Sequence, residues 1–247
     1  MNPPLLQMQN LVIGYPERRL SSAITLEIPV GANVGIIGGN GSGKSSLMKT
    51  LLGIIPPLSG HFEWKAKTQF GYVPQENQID TLFPLSVFDL LKMGLFPHLP
   101  RLGKISDSSI QLIDEILEKV EMQRFKNSLL RDLSGGEKQR ALIARAMISH
   151  PKVLIMDEPF SSLDYSFKER LWKIFTQWQA HEELSLIVIE HDLNRILNQV
   201  QWIIILGPQQ TIAGPTASVI SEKNLSKAYG APLHVHHEDN FLQVHFL

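Results

Sequence analysis

The chain has 247 residues, of which 43% are hydrophobic and 19% are charged, and these ordinary proportions exclude a disordered or fibrous protein. Its formal net charge of −1 provides no overall positive field to hold a nucleic acid backbone, so we expect no nucleic-acid partner. The absence of cysteine excludes disulfides and thiolate metal sites.

The start of the chain and its apolar runs bear on location. Met1-Asn2-Pro3-Pro4 has neither the basic start nor the apolar run of a secretory signal, so we expect a cytoplasmic protein. Apolar runs such as 153–156 and 203–206 are far shorter than the roughly 20 residues needed to cross a bilayer. Any membrane role must therefore come through a partner.

The first part of the chain predicts strands and then a strand–loop–helix unit. Residues 5–13 and 23–28 are expected to form half-buried antiparallel strands, because apolar side chains alternate in the second of them. Residues 33–37 predict a further strand, which a glycine-rich turn joins to a helix over residues 45–52.

The pattern changes twice after that. From about residue 76 to 150 apolar residues recur at helical spacing, which predicts an inserted helical subdomain. Apolar runs then alternate with helices, with runs at 153–156, 186–189 and 202–206 and a helix through 168–179. This alternation predicts an α/β fold with a mainly parallel sheet, and no repeat or long linker divides the chain, so one domain is expected to span residues 1–247.

The glycine-rich turn carries the strongest chemical signal. Its spacing is G-x-x-x-x-G-K-[ST], read from Gly38 to Ser45. Glycines let successive amide N–H groups point at phosphate oxygens, at the positive end of the following helix. We expect Lys44 to reach the β- and γ-phosphates and the Ser45 hydroxyl to be a Mg²⁺ ligand. An ordinary glycine-rich turn is the alternative, which the flanking strand and helix disfavour.

A buried strand ends in two acids, Asp157 and Glu158. Strand ends in α/β sheets are where ligands bind, so these carboxylates are expected beside the phosphate site. Asp157 would hold Mg²⁺ through water, and Glu158 would polarise the attacking water. A strand that simply ends in a polar turn is the alternative, and it becomes less favoured beside a phosphate loop.

A third motif opens a helix. Ser134 and Glu137 have the S-x-x-E spacing of a capping box, and capping alone would explain them. Gly135 and Gly136, however, each sacrifice roughly 1 kcal/mol of helix propensity relative to alanine. That cost indicates a close approach to the backbone, for which a γ-phosphate is the predicted candidate.

Together these motifs resemble the ABC ATPase family across almost the whole chain. The phosphate loop, the signature Leu133 to Glu137 and the segment Val153 to Pro159 stand in the family's order. The resemblance implies an ATPase with a P-loop (RecA-like) core, an N-terminal antiparallel β subdomain and an inserted helical subdomain. It also implies a head-to-tail dimer, in which Ser134 and Gly136 of one copy contact ATP held by the other.

The same resemblance assigns further roles. Gln75 resembles the glutamine that approaches Mg²⁺ and the attacking water, and His191 resembles the histidine that contacts the γ-phosphate. Tyr15 resembles the aromatic residue that stacks on adenine, and Asp164 marks the loop that crosses between copies. A surface histidine, an ordinary tyrosine and a capping aspartate are the alternatives. The expected nucleotide contacts are Tyr15, Gly38, Asn40, Gly41, Ser42, Gly43, Lys44, Ser45, Ser46, Ser134, Gly135, Gly136, Glu137 and Asp164; the metal contacts are Ser45, Gln75 and Asp157; the catalytic residues are Glu158, His191 and Gln75.

The resemblance also implies partners. ATPases of this kind work with integral-membrane permease subunits, a second ATPase subunit (here expected to be a second copy of this chain) and a solute-binding protein, which would place the chain on the inner face of the cell membrane. Phe83 to Val87 and Met93-Gly94 resemble the permease-contacting segment of importers for metal ions, iron chelates and cobalamin. Tyr229 to Pro232 resembles the same branch, so the expected cargo is a metal ion or a metal chelate.

Two alternatives remain open. The function could instead be that of a soluble ABC ATPase in a cluster-assembly or scaffold complex without a transport role. In the carboxyl tail, His234, His236 and His237 suggest metal binding, and His234 and His236 could share one face of a strand. A solvated tail is the default expectation there, because no fourth ligand is evident.

Overall fold

The computed structural model describes residues 4–65, 68–75, 83–95, 105–207, 210–238 and 241–247, and the side chains of His237 and Glu238 are not among those described. The strands are β1 Leu6–Val12, β2 Gly14–Tyr15, β3 Arg18–Arg19, β4 Ile24–Ile28, β5 Asn33–Gly38, β6 Ser59–Trp64, β7 Phe70–Val73, β8 Val153–Asp157, β9 Ser185–Ile189, β10 Trp202–Leu206, β11 Thr211–Pro215, β12 Leu233–Glu238 and β13 Phe241–Phe246. The α-helices are α1 Lys44–Leu51, α2 Val87–Gly94, α3 Asp107–Lys119, α4 Gly135–Met147, α5 Tyr165–Glu182, α6 Leu193–Ile196, α7 Thr216–Val219 and α8 Glu222–Tyr229.

The chain divides into two compact units. The first comprises Met1–Thr68 and Ser185–Leu247, and the second comprises Gln69–Leu184. The expectation of one domain over residues 1–247, with a helical subdomain over about 76–150, stays a prediction, because residues 76–82 and 96–104 lie outside the described ranges.

The first unit contains an antiparallel sheet in which β1 lies between β4 and β6. Side chains of β4 alternate between buried and exposed, as expected for a sheet with one covered face. A regular period-two pattern therefore identified β4 from the sequence. The partner β6 was not predicted, and its burial pattern shows why, because most of its side chains are exposed.

The same unit contains a mainly parallel sheet. β5 pairs in parallel with both β9 and β10, and β11 adds an antiparallel edge to β10. Every residue of β5 and β9 is buried, which explains why these strands are continuous apolar runs without alternation. The carboxyl end of β5 leads directly into the phosphate loop and α1.

The described part of the second unit has a parallel pair, β7 and β8, and the α-helices α2, α3, α4 and α5. The helices begin at side-chain caps, because Ser86, Ser106, Ser134 and Asp164 each accept a hydrogen bond from a backbone N–H three residues on. Buried residues of α4, among them Ile143 and Met147, pack this helix into the unit. Within the range of about 76–150, where helical periodicity is predicted, the described residues form α2, α3 and α4.

The carboxyl tail forms an ordered hairpin whose described histidine side chains are exposed. Strands β12 and β13 pair antiparallel with Leu233 and Val244 buried, while His234 and His236 face solvent, in agreement with the default expectation for these histidines. His234 and His236 do share one face of a strand, as the alternative suggested. In the described ranges, no helix is both long and apolar enough to cross a membrane.

Candidate nucleotide-binding and hydrolysis site

The phosphate loop begins where β5 ends, in a conformation that requires glycine. Gly38, Gly41 and Gly43 have φ values of 148°, 73° and 101°. A Cβ on Gly38 would lie 2.2 Å from the Leu206 carbonyl oxygen, which excludes any side chain at this position. The start of the loop therefore lies directly against the backbone of β10, and the chain then turns into α1.

Lys44 and Ser42 lie inside this loop. The Lys44 ammonium is nearly buried and donates to the carbonyls of Gly38 and Gly39 at 2.9 and 3.1 Å. The Ser42 hydroxyl is also buried, and it has no hydrogen-bond partner among the described residues. Gly43, the residue just before α1, has no side chain to cap the helix. The first backbone N–H groups of α1 are therefore available to an anion. These features fit the phosphates of a nucleotide.

The surroundings of the loop include residues that the motif does not specify. The Tyr229 hydroxyl accepts a hydrogen bond from the Gly38 N–H at 3.2 Å, and burial raises the pKa of Tyr229 to about 12. A cleft of about 540 Å³ is lined by Arg18, Arg19 and Tyr229 together with part of the phosphate loop. The predicted adenine contact, Tyr15, is half exposed, with its hydroxyl 3.5 Å from the Ser46 hydroxyl.

His191 follows β9 in the same unit and is exposed. The preceding residue, Glu190, is buried, and its carboxylate accepts from the backbone N–H groups of His191 at 3.0 Å and Asp192 at 3.4 Å. Asp192 in turn caps α6 by accepting from the Arg195 N–H. The backbone around His191 is thereby fixed, while the imidazole lies at the surface.

In the second unit, β8 delivers the two acids to its carboxyl end. Asp157 is the last residue of the strand and is buried, and Glu158 follows it with a φ of 51°. That left-handed conformation is uncommon for a residue with a side chain, and such conformations concentrate at functional sites. The Glu158 carboxylate accepts a hydrogen bond from the Gln75 amide at 2.9 Å. The structure therefore brings together two of the three predicted catalytic residues.

The signature motif opens α4 as a full capping box. The Ser134 hydroxyl accepts from the Glu137 N–H, and the Glu137 carboxylate accepts from the Ser134 N–H at 2.9 Å and its hydroxyl at 2.8 Å. These hydrogen bonds lower the pKa of Glu137. The predicted capping box is confirmed.

Gly136 is approached by the chain itself. A Cβ at this position would lie 2.9 Å from the Ser162 carbonyl oxygen, in the loop between β8 and α5. The close approach expected at this glycine is therefore real, and within one copy the approaching group is a carbonyl. The predicted contact between this glycine and a phosphate stays a prediction.

Asp164 caps α5 and belongs to an ion-pair network. Its carboxylate accepts from the Ser166 hydroxyl at 2.6 Å and the Phe167 N–H at 2.9 Å, and it pairs with Arg140 at 3.2 Å. These partners, the Ser166 hydroxyl first, lower the pKa of Asp164 to about 2. Arg140 also pairs with Glu121 and lies 3.6 Å over the Phe167 ring. The capping alternative is thus observed. The ion pair with Arg140 also joins the loop before α5 to α4.

Sequence reasoning missed Arg140 and Tyr229 as supports of the site. Arg140 follows the signature by three residues, one helical turn beyond Glu137, so helical spacing was an available signal. Tyr229 stood in a segment noted only for its resemblance to one branch of importers. Nothing local in the sequence links it to Gly38, 191 residues away.

Comparison with known proteins agrees with these observations. The profile of the ABC transporter family matches residues 21–161. The chain is 32% identical over 234 residues to the manganese transport system ATP-binding protein MntB of Bacillus subtilis, covering 92% of this chain and 93% of that protein. It is 32% identical to the zinc import ATP-binding protein ZnuC of Magnetococcus marinus, covering 92% and 83%. A probable metal transport system ATP-binding protein of Chlamydia trachomatis is 31% identical, covering 92% and 89%.

Solved structures agree as well. A chain of an inward-facing ABC transporter, described as of the metal-chelate type, superposes with a TM-score of 0.85 at 25% identity and covers 99% of this chain and 97% of its own. An ADP-bound ATP-binding cassette superposes with a TM-score of 0.76 at 20% identity, which bears on the fold alone. The predicted P-loop α/β fold with added antiparallel and helical parts is confirmed.

Proposed function

Because this chain belongs to the ABC transporter family and is an ATP-hydrolysing cassette, we propose that it powers the import of transition-metal ions or metal chelates. The observation that carries this proposal is the full-length similarity to cassettes named for manganese, zinc and metal transport. The cargo would pass through separate membrane subunits. These permease subunits, fed by a solute-binding protein, would hold the chain at the inner face of the cell membrane.

We propose that the phosphate loop holds ATP with Mg²⁺. The buried Ser42 hydroxyl and the uncapped start of α1 suit phosphate oxygens, and Lys44 brings a positive charge into the loop. Ser45 would be a direct ligand of Mg²⁺, and Asp157 and Gln75 would complete its surroundings through hard oxygen donors. When bound, Mg²⁺ supplies neutralisation of the phosphate charge. Tyr15 would offer its exposed ring to the adenine.

We propose Glu158 as the general base. It follows β8 in the left-handed conformation, and its carboxylate, to which the Gln75 amide donates, would accept the proton of the attacking water. Gln75 would orient that water together with Glu158. The exposed imidazole of His191 would contact the γ-phosphate, on a backbone that the Glu190 carboxylate fixes.

We propose that two copies act together. Ser134, Gly135 and Gly136 would present the start of α4 to ATP held by the other copy, since a helix N-terminus attracts anions. Glu137 secures that start through the capping box, and Asp164 would lie at the crossing between copies. The side chains of Phe83 and Met93 are exposed and are proposed to contact the permease.

Metal uptake by living cells tests the proposal. Cells that lack their own manganese and zinc importers would express this chain together with the permease and binding-protein subunits of the proposed importer. Radioactive manganese or zinc should enter with the wild-type chain and not with Glu158→Gln. Glu118→Gln is the matched control, because this glutamate is exposed on α3, and it should support full uptake.

Co-purification separates transport from the scaffold alternative. A tagged chain extracted in detergent should carry a polytopic membrane protein with it. ATP hydrolysis without metal uptake, together with purely soluble partners, would defeat the proposal.

A further inference from the structure

The carboxyl-terminal hairpin gathers three imidazoles on one face. Along β12, His234 and His236 are two residues apart and so point to the same side. On β13, His245 lies directly opposite His234, and directly opposite residues in an antiparallel pair share a face. The ring centroids of His236 and His245 are 5.6 Å apart, and those of His234 and His236 are 6.2 Å apart.

The buried face on the other side of the hairpin fixes which side chains point to solvent. Leu233 and Val244 are buried on the other side of the hairpin, so a slip of one residue in register would expose them. Side-chain amides of Asn194 and Asn198 also bind the backbone of Val244 and Leu242. The three imidazoles are therefore displayed towards solvent on a frame whose register is determined.

A carboxylate orients one of the rings. Glu222, the first residue of α8, lies with its Oε1 2.9 Å from His234 Nδ1, and the same oxygen accepts from the Val235 N–H at 3.1 Å. With its proton on Nδ1, His234 keeps the lone pair of Nε2. A carboxylate behind a histidine in this way is the usual arrangement around metal-bound imidazole. The first of these hydrogen bonds, with His234, also lowers the pKa of Glu222.

We propose that His234, His236 and His245 bind one divalent transition-metal ion, with Glu222 positioning the first of these rings. Two imidazoles on a tetrahedral Zn²⁺, at Zn–N distances of about 2.1 Å, have ring centroids roughly 5 Å apart. The two observed centroid separations exceed this by roughly 0.6 and 1.2 Å, which side-chain rotation can close. Three ligands leave a fourth position for water. None of these four residues is among the predicted nucleotide and metal contacts.

The donor set selects the kind of metal. Three neutral nitrogens without a bound carboxylate favour Zn²⁺, Ni²⁺ or Cu²⁺ and disfavour Mn²⁺ and Mg²⁺, which prefer oxygen. Across the described side chains, no group of three His, Cys, Asp or Glu is already arranged to hold a metal. Binding must therefore draw the three rings towards one another.

Zinc titration of the purified full chain tests the site. Calorimetry with Zn²⁺, in excess Mg²⁺ to suppress oxygen-rich sites, should show one saturable site that Mn²⁺ fills more weakly. His236→Ala and His245→Ala should each weaken it more than tenfold. Glu222→Gln, which keeps all three ligands, should weaken it by about tenfold. His181→Ala, at an exposed position of α5, should bind zinc like the wild type.

Two outcomes would overturn the proposal. One is the lack of saturable zinc binding by the wild-type chain, and the other is an equal loss in His181→Ala and His236→Ala. Imidazole ¹⁵N spectra of the wild-type chain give a test that needs no variant to fold. Zinc should shift Nε2 of His234 and leave the proton on its Nδ1; spectra that zinc does not change would also overturn the site.

Discussion

Gly38 shows how a residue outside the motif supports the phosphate loop. The motif explains its lack of a side chain, because the Leu206 carbonyl leaves no room for one. It does not explain where the buried Gly38 N–H finds an acceptor. That acceptor is the Tyr229 hydroxyl, from the far end of the chain.

Tyr229→Phe removes this acceptor and keeps the aromatic ring. A buried N–H without a partner costs about 1–3 kcal/mol, so we expect the melting temperature to fall by about 2–12 °C. Nucleotide affinity should fall as well, because the loop loses an anchor at its first residue. Differential scanning calorimetry and a fluorescent-nucleotide titration measure the two effects.

Tyr165→Phe is the control for this change. It removes the same hydroxyl from a side chain that is 73% exposed at the start of α5. Its melting temperature should fall by less than that of Tyr229→Phe, because the exposed position is open to water, which can pair any group that the hydroxyl leaves. Equal effects of the two substitutions would show that the contact to Gly38 contributes nothing specific.

Among the elements, the carboxyl-terminal hairpin is held by an unusual pairing. Asn198 donates to the Leu242 carbonyl and accepts from its N–H, both at 2.8 Å. Asn194 makes the same two contacts with Val244, at 3.2 and 2.6 Å. Asn194 and Asn198 are four residues apart and bind two alternate residues of β13. Their side-chain amides therefore pair with the β13 backbone as a neighbouring strand would. The edge of β13 is thus covered without another strand.

Asn198→Ala should loosen this edge. Losing two hydrogen bonds costs about 1–3 kcal/mol of local opening free energy, so the Leu242 amide should exchange its hydrogen about 5 to 160 times faster. Hydrogen–deuterium exchange resolved to single amides measures it. Asn224→Ala, which removes a side-chain amide of α8 that donates to the Val219 carbonyl at the end of α7, should leave exchange at Leu242 unchanged. Unchanged exchange at Leu242 in Asn198→Ala would show that the Asn198 side chain does not hold β13.

At the scale of the whole molecule, the predicted site residues are divided between the two units. The phosphate loop and His191 belong to the first, and Gln75, Glu158 and the signature belong to the second. If two copies complete each other's sites, as proposed, blocking hydrolysis should trap the assembled pair. A single copy would then be the state between two rounds of ATP hydrolysis, and the pair would be the state that hydrolyses ATP.

Glu158→Gln should therefore form a stable dimer in ATP and Mg²⁺. The amide cannot accept the proton of the attacking water, so turnover should fall by at least a hundredfold while ATP binding persists. Light scattering after size exclusion should give twice the mass of the 27.8 kDa chain. Adding Ser134→Arg, which places a bulky cation at the start of α4, should return the protein to a monomer. A monomer with Glu158→Gln alone would contradict the two-copy mechanism.

The sequence alone determined the elements whose signals are local. β5 with its phosphate loop, the acids after β8 and the Ser134–Glu137 capping box each follow from spacing within about ten residues, because strand periodicity, glycine conformations and helix caps are local properties. These residues also sufficed to identify the family. The roles assigned to them in binding and hydrolysis remain predictions.

Tertiary structure decided what depends on partners distant in the chain. β6 is mostly exposed and gains its place by pairing with β1, and His245 joins the face of His234 and His236 because β13 pairs with β12 in this register. Tyr229 reaches Gly38, and Ser162 approaches Gly136, across gaps that no spacing rule covers. Such contacts are set by the packing of whole elements, so they became visible only in the folded chain.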